Sequence, residues 1–185
     1  MAARRRPVPL VLFPGSGSSS EHPGLLAVEA AVAPRPVARV DFAYRLSGRR
    51  APDRPPVLLE TVRHAIAAQS GPVVAGGRSM GGRIASMVAA EGALPITALV
   101  LICYPLHPPG KPERLRVEHF GQLTMPCLFV SGTRDTFGSP AEITAHTAAI
   151  RGSVTHVWIE GKGHDLKGAD QAVATSVAEW LSGLG

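Results

Sequence analysis

Aromatic residues and charges are both scarce in this sequence, at 5% and 18% of 185 residues. A core must therefore be assembled mainly from Val, Ala, Leu and Ile, and a hydrophobic share of 45% excludes disorder and fibrous classes. Long apolar runs are missing too. The best, residues 8–13, falls far short of the ~20 that a membrane-spanning helix needs, so no membrane partner is expected. Cysteine is limited to Cys103 and Cys127, each inside an apolar run, which excludes a disulfide framework and predicts buried thiols. Arg4-Arg5-Arg6 ahead of the first apolar run imitates a signal peptide, but the run stops at Pro14-Gly15 without a small-residue cleavage pattern. It reads as a first strand, with a cytoplasmic location expected. Acidic residues are outnumbered 14 to 19 by Lys and Arg, for a net charge of +5. The arginines are scattered rather than interleaved with aromatics, so a specific nucleic-acid partner is not expected.

What is present is a rhythm of strand-like runs and helical stripes. Strand candidates are residues 8–13, 37–42, 72–76, 98–103, 126–131 and 154–159. Between them, Leu58, Leu59, Val62, Ala65 and Ile66 share one helical face; Ile84, Met87 and Val88 form a second stripe, and Val173, Val177, Trp180 and Leu181 a third. Ser139-Pro140-Ala141-Glu142 reads as a capping box that starts a helix running toward Ile150. Alternation of this kind predicts an α/β fold, a mainly parallel sheet of about six strands with helices on both faces. One domain over residues 1–185 is expected, with residues 1–7 a flexible basic segment. Loops are expected at residues 16–24 and 104–111, both following strands and so at the carboxyl edge where such sheets bind ligands.

Gly77-Arg78-Ser79-Met80-Gly81 is a G-x-S-x-G placed directly after a strand run and directly before a helical stripe. That context suits a sharp strand-to-helix turn that lifts a serine above the sheet, with small neighbours where the backbone is crowded. A serine hydroxyl is a weak nucleophile at neutral pH and needs a base that is itself oriented by a third group. Asp135 follows the fifth strand run in Ser131-Gly132-Thr133-Arg134-Asp135, and His164 follows the last in Gly161-Lys162-Gly163-His164. Serine, aspartate, histidine is the order of the α/β-hydrolase arrangement. Ser79 would attack, His164 would carry the proton, and Asp135 would hold the imidazole. For the developing oxyanion the candidate donors are the backbone amides of Met80 and Ser16, with Gly15 beside them; Pro14 has no N–H to offer. Gly15, Tyr104 and His107 are expected to contact substrate from the edge loops.

The chain resembles a minimal member of the α/β-hydrolase superfamily, close to its dienelactone-hydrolase-like branch. More narrowly, Gly76-Gly-Arg-Ser-Met-Gly-Gly82, Cys103-Tyr-Pro-Leu-His-Pro-Pro109 and Phe129-Val-Ser-Gly-Thr-Arg-Asp135 are similar to the small hydrolase-like domain shared by a testis-expressed protein and a subunit of a chromatin acetyltransferase complex. The resemblance implies a Ser79, Asp135, His164 triad acting on a small-molecule acyl substrate, with no metal and no organic cofactor. It also implies little or no cap, since only residues 104–124 are available for one, with a short helix expected near residues 113–120. An open, shallow site follows. Because the narrower family includes domains that work within complexes, a binding or scaffolding module without turnover is the alternative.

One rival pattern competes for the first loop. Gly15-Ser16-Gly17-Ser18-Ser19-Ser20 after a strand, with Asp41 at the end of the next, imitates a dinucleotide fingerprint. Ser20 stands at the third glycine position, and Pro23-Gly24 interrupt the place where a phosphate-binding helix should already be running.

Overall fold

The computed structural model describes residues 7–184, so residues 1–6, most of the basic segment expected to be flexible, lie outside the described range. In chain order the elements are β1 (Leu10–Phe13), α1 (Pro23–Ala31), β2 (Val37–Arg39), α2 (Ala43–Leu46), α3 (Pro55–Ala67), β3 (Val73–Arg78), α4 (Met80–Ala90), β4 (Ile96–Ile102), β5 (Cys127–Gly132), α5 (Pro140–Thr147), β6 (Val154–Ile159) and α6 (Asp170–Ser182). All six strands pair in parallel in the order β2-β1-β3-β4-β5-β6. Strand order reverses between β1 and β3, and a sheet of this kind opens a crevice beyond the strand ends where it reverses.

The strands are almost continuously apolar because both faces are covered, and the period of two deals alternate residues to opposite sides. Val11, Phe13, Val73, Ala75, Leu99, Leu101 and Phe129 pack with the inner faces of α3 and α4 and with Ile143 of α5. Leu10, Leu12, Val74, Val100, Ile102, Leu128 and Val130 pack with α1 and α6 on the other side. The helix starts obey local chemistry. Pro23, Pro55 and Pro140 stand at first-turn positions, where a missing N–H costs nothing. The capping box at Ser139 forms in full: its hydroxyl accepts from the Glu142 amide, and the Glu142 carboxylate accepts from the Ser139 amide at 2.9 Å. This helix ends at Thr147, one turn short of Ile150.

The helix expected near residues 113–120 does not form; that stretch is irregular and ends in a single 3-10 turn, Phe120–Gln122. Both backbone groups of Arg116 are engaged outside any helix. Its amide donates to the Leu106 carbonyl at 2.9 Å, and its carbonyl accepts from the Tyr104 hydroxyl at 2.6 Å. The segment between β4 and β5 is thereby pinned across the sheet edge as a strap, and among the described residues it forms no helical cap over the strand ends.

Candidate active site

Ser79 sits at the junction of β3 and α4 with φ 50° and ψ −117°, a conformation that costs a non-glycine residue roughly 1–3 kcal/mol. The surroundings hold it there. The Ser79 amide donates to the Ile102 carbonyl at 2.8 Å, and its own carbonyl accepts from the Arg83 amide at 3.0 Å as α4 begins. The flanking glycines are small because neighbouring backbone is in the way: a Cβ on Gly76 would stand 2.0 Å from the Val100 carbonyl oxygen, and one on Gly81 2.2 Å from that of Phe13.

The turn aims the Ser79 hydroxyl at His164, with Oγ 2.8 Å from Nε2. On the other side of the ring, Nδ1 lies 2.8 Å from Asp135 Oδ2 and 3.0 Å from Oδ1. A carboxylate can only accept, so Nδ1 carries the proton and the Nε2 lone pair faces the serine O–H. The Asp135 side chain is fully buried and also accepts from the Phe137 amide at 2.8 Å, an Asx turn that fixes its rotamer. Phe137 stacks on the imidazole with centroids 4.0 Å apart. Arg78 Nη2 donates to the His164 carbonyl at 2.9 Å. The acid and histidine loops are joined directly: the Arg134 amide donates to the Lys162 carbonyl at 2.8 Å, and the Gly161 amide to Thr133 Oγ1 at 2.8 Å.

Beside Ser79 lies a cavity of about 470 Å³ whose wall includes Gly15, Ser16, Met80, Phe137 and His164, with apolar floor from Leu58 and Pro105. The Met80 amide is the first of α4, where helical N–H groups have no partner within the helix, and the Ser16 amide donates to no backbone carbonyl among the described residues. The loop carrying Ser16 is tied down by Tyr44, whose hydroxyl accepts from Gly17 at 3.1 Å, and by Asp41, which accepts from the Ser20 amide and hydroxyl at 2.7 and 2.8 Å. Asp41 is thus spent on its own loop rather than held out for a ribose.

Two residues expected at the pocket wall lie elsewhere. Tyr104 is 1% exposed, directed into an aromatic cluster with Phe120 and Phe129, and engaged with Arg116. His107 is 5% exposed; its Nδ1 donates to the Pro108 carbonyl and its Nε2 stands 3.5 Å from Glu142. Both follow β4, but the strap folds them inward and presents Pro105 to the cavity instead. Conversely, Leu58, singled out in the sequence only for its helical stripe, and Arg83, Arg116 and Phe137, not singled out at all, line the cavity. Arg83, four residues after Ser79 on the helix, had a readable signal in that spacing; Arg116 had none, because only the strap brings it there.

Cys103, at the end of β4 with φ 50°, places its sulfur within 4.8 Å of the Asp135 and His164 ligand atoms. This set suits a metal poorly. Burial, helped by Asp135, pushes the thiol up to about 12, and both imidazole nitrogens are already engaged.

The comparisons agree with this geometry at the level of fold. The solved structure of an α/β-superfamily protein from Xanthomonas campestris pv. campestris is 25% identical, covering 94% of this chain and 98% of its own, with a TM-score of 0.71. Est1E from Butyrivibrio proteoclasticus superposes with a TM-score of 0.76 at 17% identity, covering 98% and 90%. A monoacylglycerol lipase from Paleococcus ferrophilus reaches 0.78 at 13% identity, covering 96% of each chain. The family model of the alpha/beta hydrolase domain matches residues 7–182, nearly the full length. With that match and a six-stranded parallel sheet ordered as described, the chain belongs to the α/β-hydrolase domain family.

Proposed function

We propose that this protein is a serine hydrolase that cleaves an ester, thioester or related acyl bond through an acyl-Ser79 intermediate. The observation that carries the reading is the unbroken hydrogen-bonded chain from Ser79 through His164 to buried Asp135, opening on a cavity. His164 Nε2 takes the hydroxyl proton as Ser79 Oγ attacks the acyl carbon, and the imidazolium so formed is stabilised by Asp135. Charge gathering on the acyl oxygen is met by the amides of Met80 and Ser16 at the mouth of α4. The imidazolium then protonates the leaving group, and water activated by the same nitrogen releases the acid.

The phrases around Gly76–Gly82, Cys103–Pro109 and Phe129–Asp135 support a likeness to the small hydrolase-like domain shared by a testis-expressed protein and a chromatin acetyltransferase subunit, near the dienelactone-hydrolase-like branch, with Ser79 where that branch's name-giving enzyme has a cysteine. The absence of a helical cap between β4 and β5 favours small substrates or ones whose bulk lies outside the pocket. A fluorophosphonate probe is expected to label Ser79 stoichiometrically, to fail on Ser79→Ala and to react far more slowly with His164→Ala. Folded wild-type protein that resists the probe from pH 6 to 9 and turns over no member of an acyl-ester panel would instead favour the binding-module alternative.

A further inference from the structure

Three guanidinium groups, from Arg78, Arg83 and Arg116, line the cavity beside Ser79, and no carboxylate shares its wall. Three arginines elsewhere on the molecule have carboxylate partners: Arg39 pairs with Glu21 and Glu29, Arg49 with Asp53, and Arg63 with Glu60 and Glu91. None of the cavity arginines has an acidic partner among the described residues. Arg83 Nε is fully buried and bonds to nothing, and the sole side-chain bond of Arg116 is a stretched 3.5 Å contact to the Pro105 carbonyl. Arg83 also weighs on the charge of Arg116. The Arg116 guanidinium is driven below its ordinary range by burial and then by Arg83, while half-buried His119 is pushed down to about 4 by burial and then by the same Arg83. Burying part of an arginine with its fork unsatisfied, next to a second cation, is costly unless an anion is brought to it.

Arg83 is also well placed along the chain. It follows Ser79 by one helical turn, and helical side chains lean toward the N-terminus of their helix, which directs Arg83 back toward the nucleophile end of α4. A planar fork matches the two oxygens of a carboxylate or phosphate better than a lysine would.

Building on the serine-hydrolase reading, we infer that the Arg83–Arg116 pair is an anion subsite, and that the substrate is an acyl ester or thioester bearing a second, oxyanionic group such as a carboxylate or phosphate. The scissile carbonyl sits over Ser79 while the anion docks between the two guanidiniums, so charge fixes which end of the molecule is attacked.

The test has two arms. In the first, wild-type enzyme is given p-nitrophenyl hydrogen glutarate and the neutral p-nitrophenyl valerate. The expected result is at least a tenfold higher kcat/KM for the glutarate, carried by KM, with that preference falling about tenfold in Arg83→Gln and again in Arg116→Gln. Arg63→Gln, on the paired exterior, keeps the preference. Arg83→Lys and Arg116→Lys restore part of it. Equal turnover of both esters excludes a carboxylate subsite, and together with no phosphate binding in the second arm it overturns the anion subsite and leaves the hydrolase reading standing. In the second arm, which needs no turnover, Ser79→Ala protein is titrated calorimetrically with monomethyl glutarate, inorganic phosphate and methyl valerate. Binding of the monoester identifies a carboxylate site, binding of phosphate alone a phosphate site, and both are lost in the glutamine variants. Binding of neither anion, or anion binding unchanged in those variants, overturns the inference. Anion binding with no turnover of any ester would sink the hydrolase reading alone.

Discussion

Each side chain of the Ser79–His164–Asp135 chain depends on one neighbour for its orientation, and the neighbours differ in kind. Asp135 is fixed by the Phe137 amide and by complete burial, so Asp135→Asn keeps the shape but loses the acceptor that holds the proton on Nδ1. The expected outcome is a loss of about 10³- to 10⁴-fold in kcat on any ester substrate, with the circular-dichroism spectrum and melting temperature close to wild type. A second residue-level consequence follows from His119. Its Nε2 lies 2.8 Å from the buried Ser86 hydroxyl, and burial first and Arg83 second lower its pKa from 6.5 to about 4. The unfolded chain therefore binds a proton here between pH 6.5 and 4 that the native protein refuses. Stability falls as pH drops through that window, by at most about 3 kcal/mol at its lower end. His119→Gln, measured by urea unfolding at several pH values, is expected to flatten the slope between pH 6.5 and 4 relative to wild type.

Among the elements, β3 and its turn into α4 carry the tightest backbone packing. Gly76→Ala would drive a Cβ to within 2.0 Å of the Val100 carbonyl, a neighbour in the middle of the sheet that cannot give way. A loss of about 3 kcal/mol or more is expected, seen as a collapsed melting temperature or insoluble protein, whereas Gly121→Ala, which meets open space, should stay within about 0.5 kcal/mol. The elements also show what a reader of the sequence can see. Residues 154–159 carry a strand with those bounds, and Ser139 to Glu142 form their capping box, because both signals are local. G-x-S-x-G, Asp135 and His164 are legible for a related reason: each follows a strand, and a parallel sheet gathers such positions at one edge. Residues 113–120 misled because their helical pattern is overruled by Tyr104 and Leu106, which claim the Arg116 backbone from another part of the chain. Tyr104, His107 and Arg116 changed places with respect to the cavity for that same reason.

The whole molecule is a sheet whose edges are unequal. β3 and β4 lie in the middle under two apolar layers, while β2 is a three-residue edge strand whose side chains are all partly exposed. Amides of β3 and β4 are expected to exchange with solvent deuterium only through global unfolding, and those of β2 through local opening at much lower free energy; equal protection across the sheet would contradict this. No helix among the described residues is long and apolar enough to cross a membrane. The stitching of the Thr133–Arg134 turn to the Gly161–Lys162 turn reaches beyond local order. Because those bonds hold His164 and Asp135 in register before any ligand arrives, the proposed mechanism needs no assembly step. A stopped-flow record of a chromogenic ester should rise from the first millisecond with no lag, as from a spring already wound.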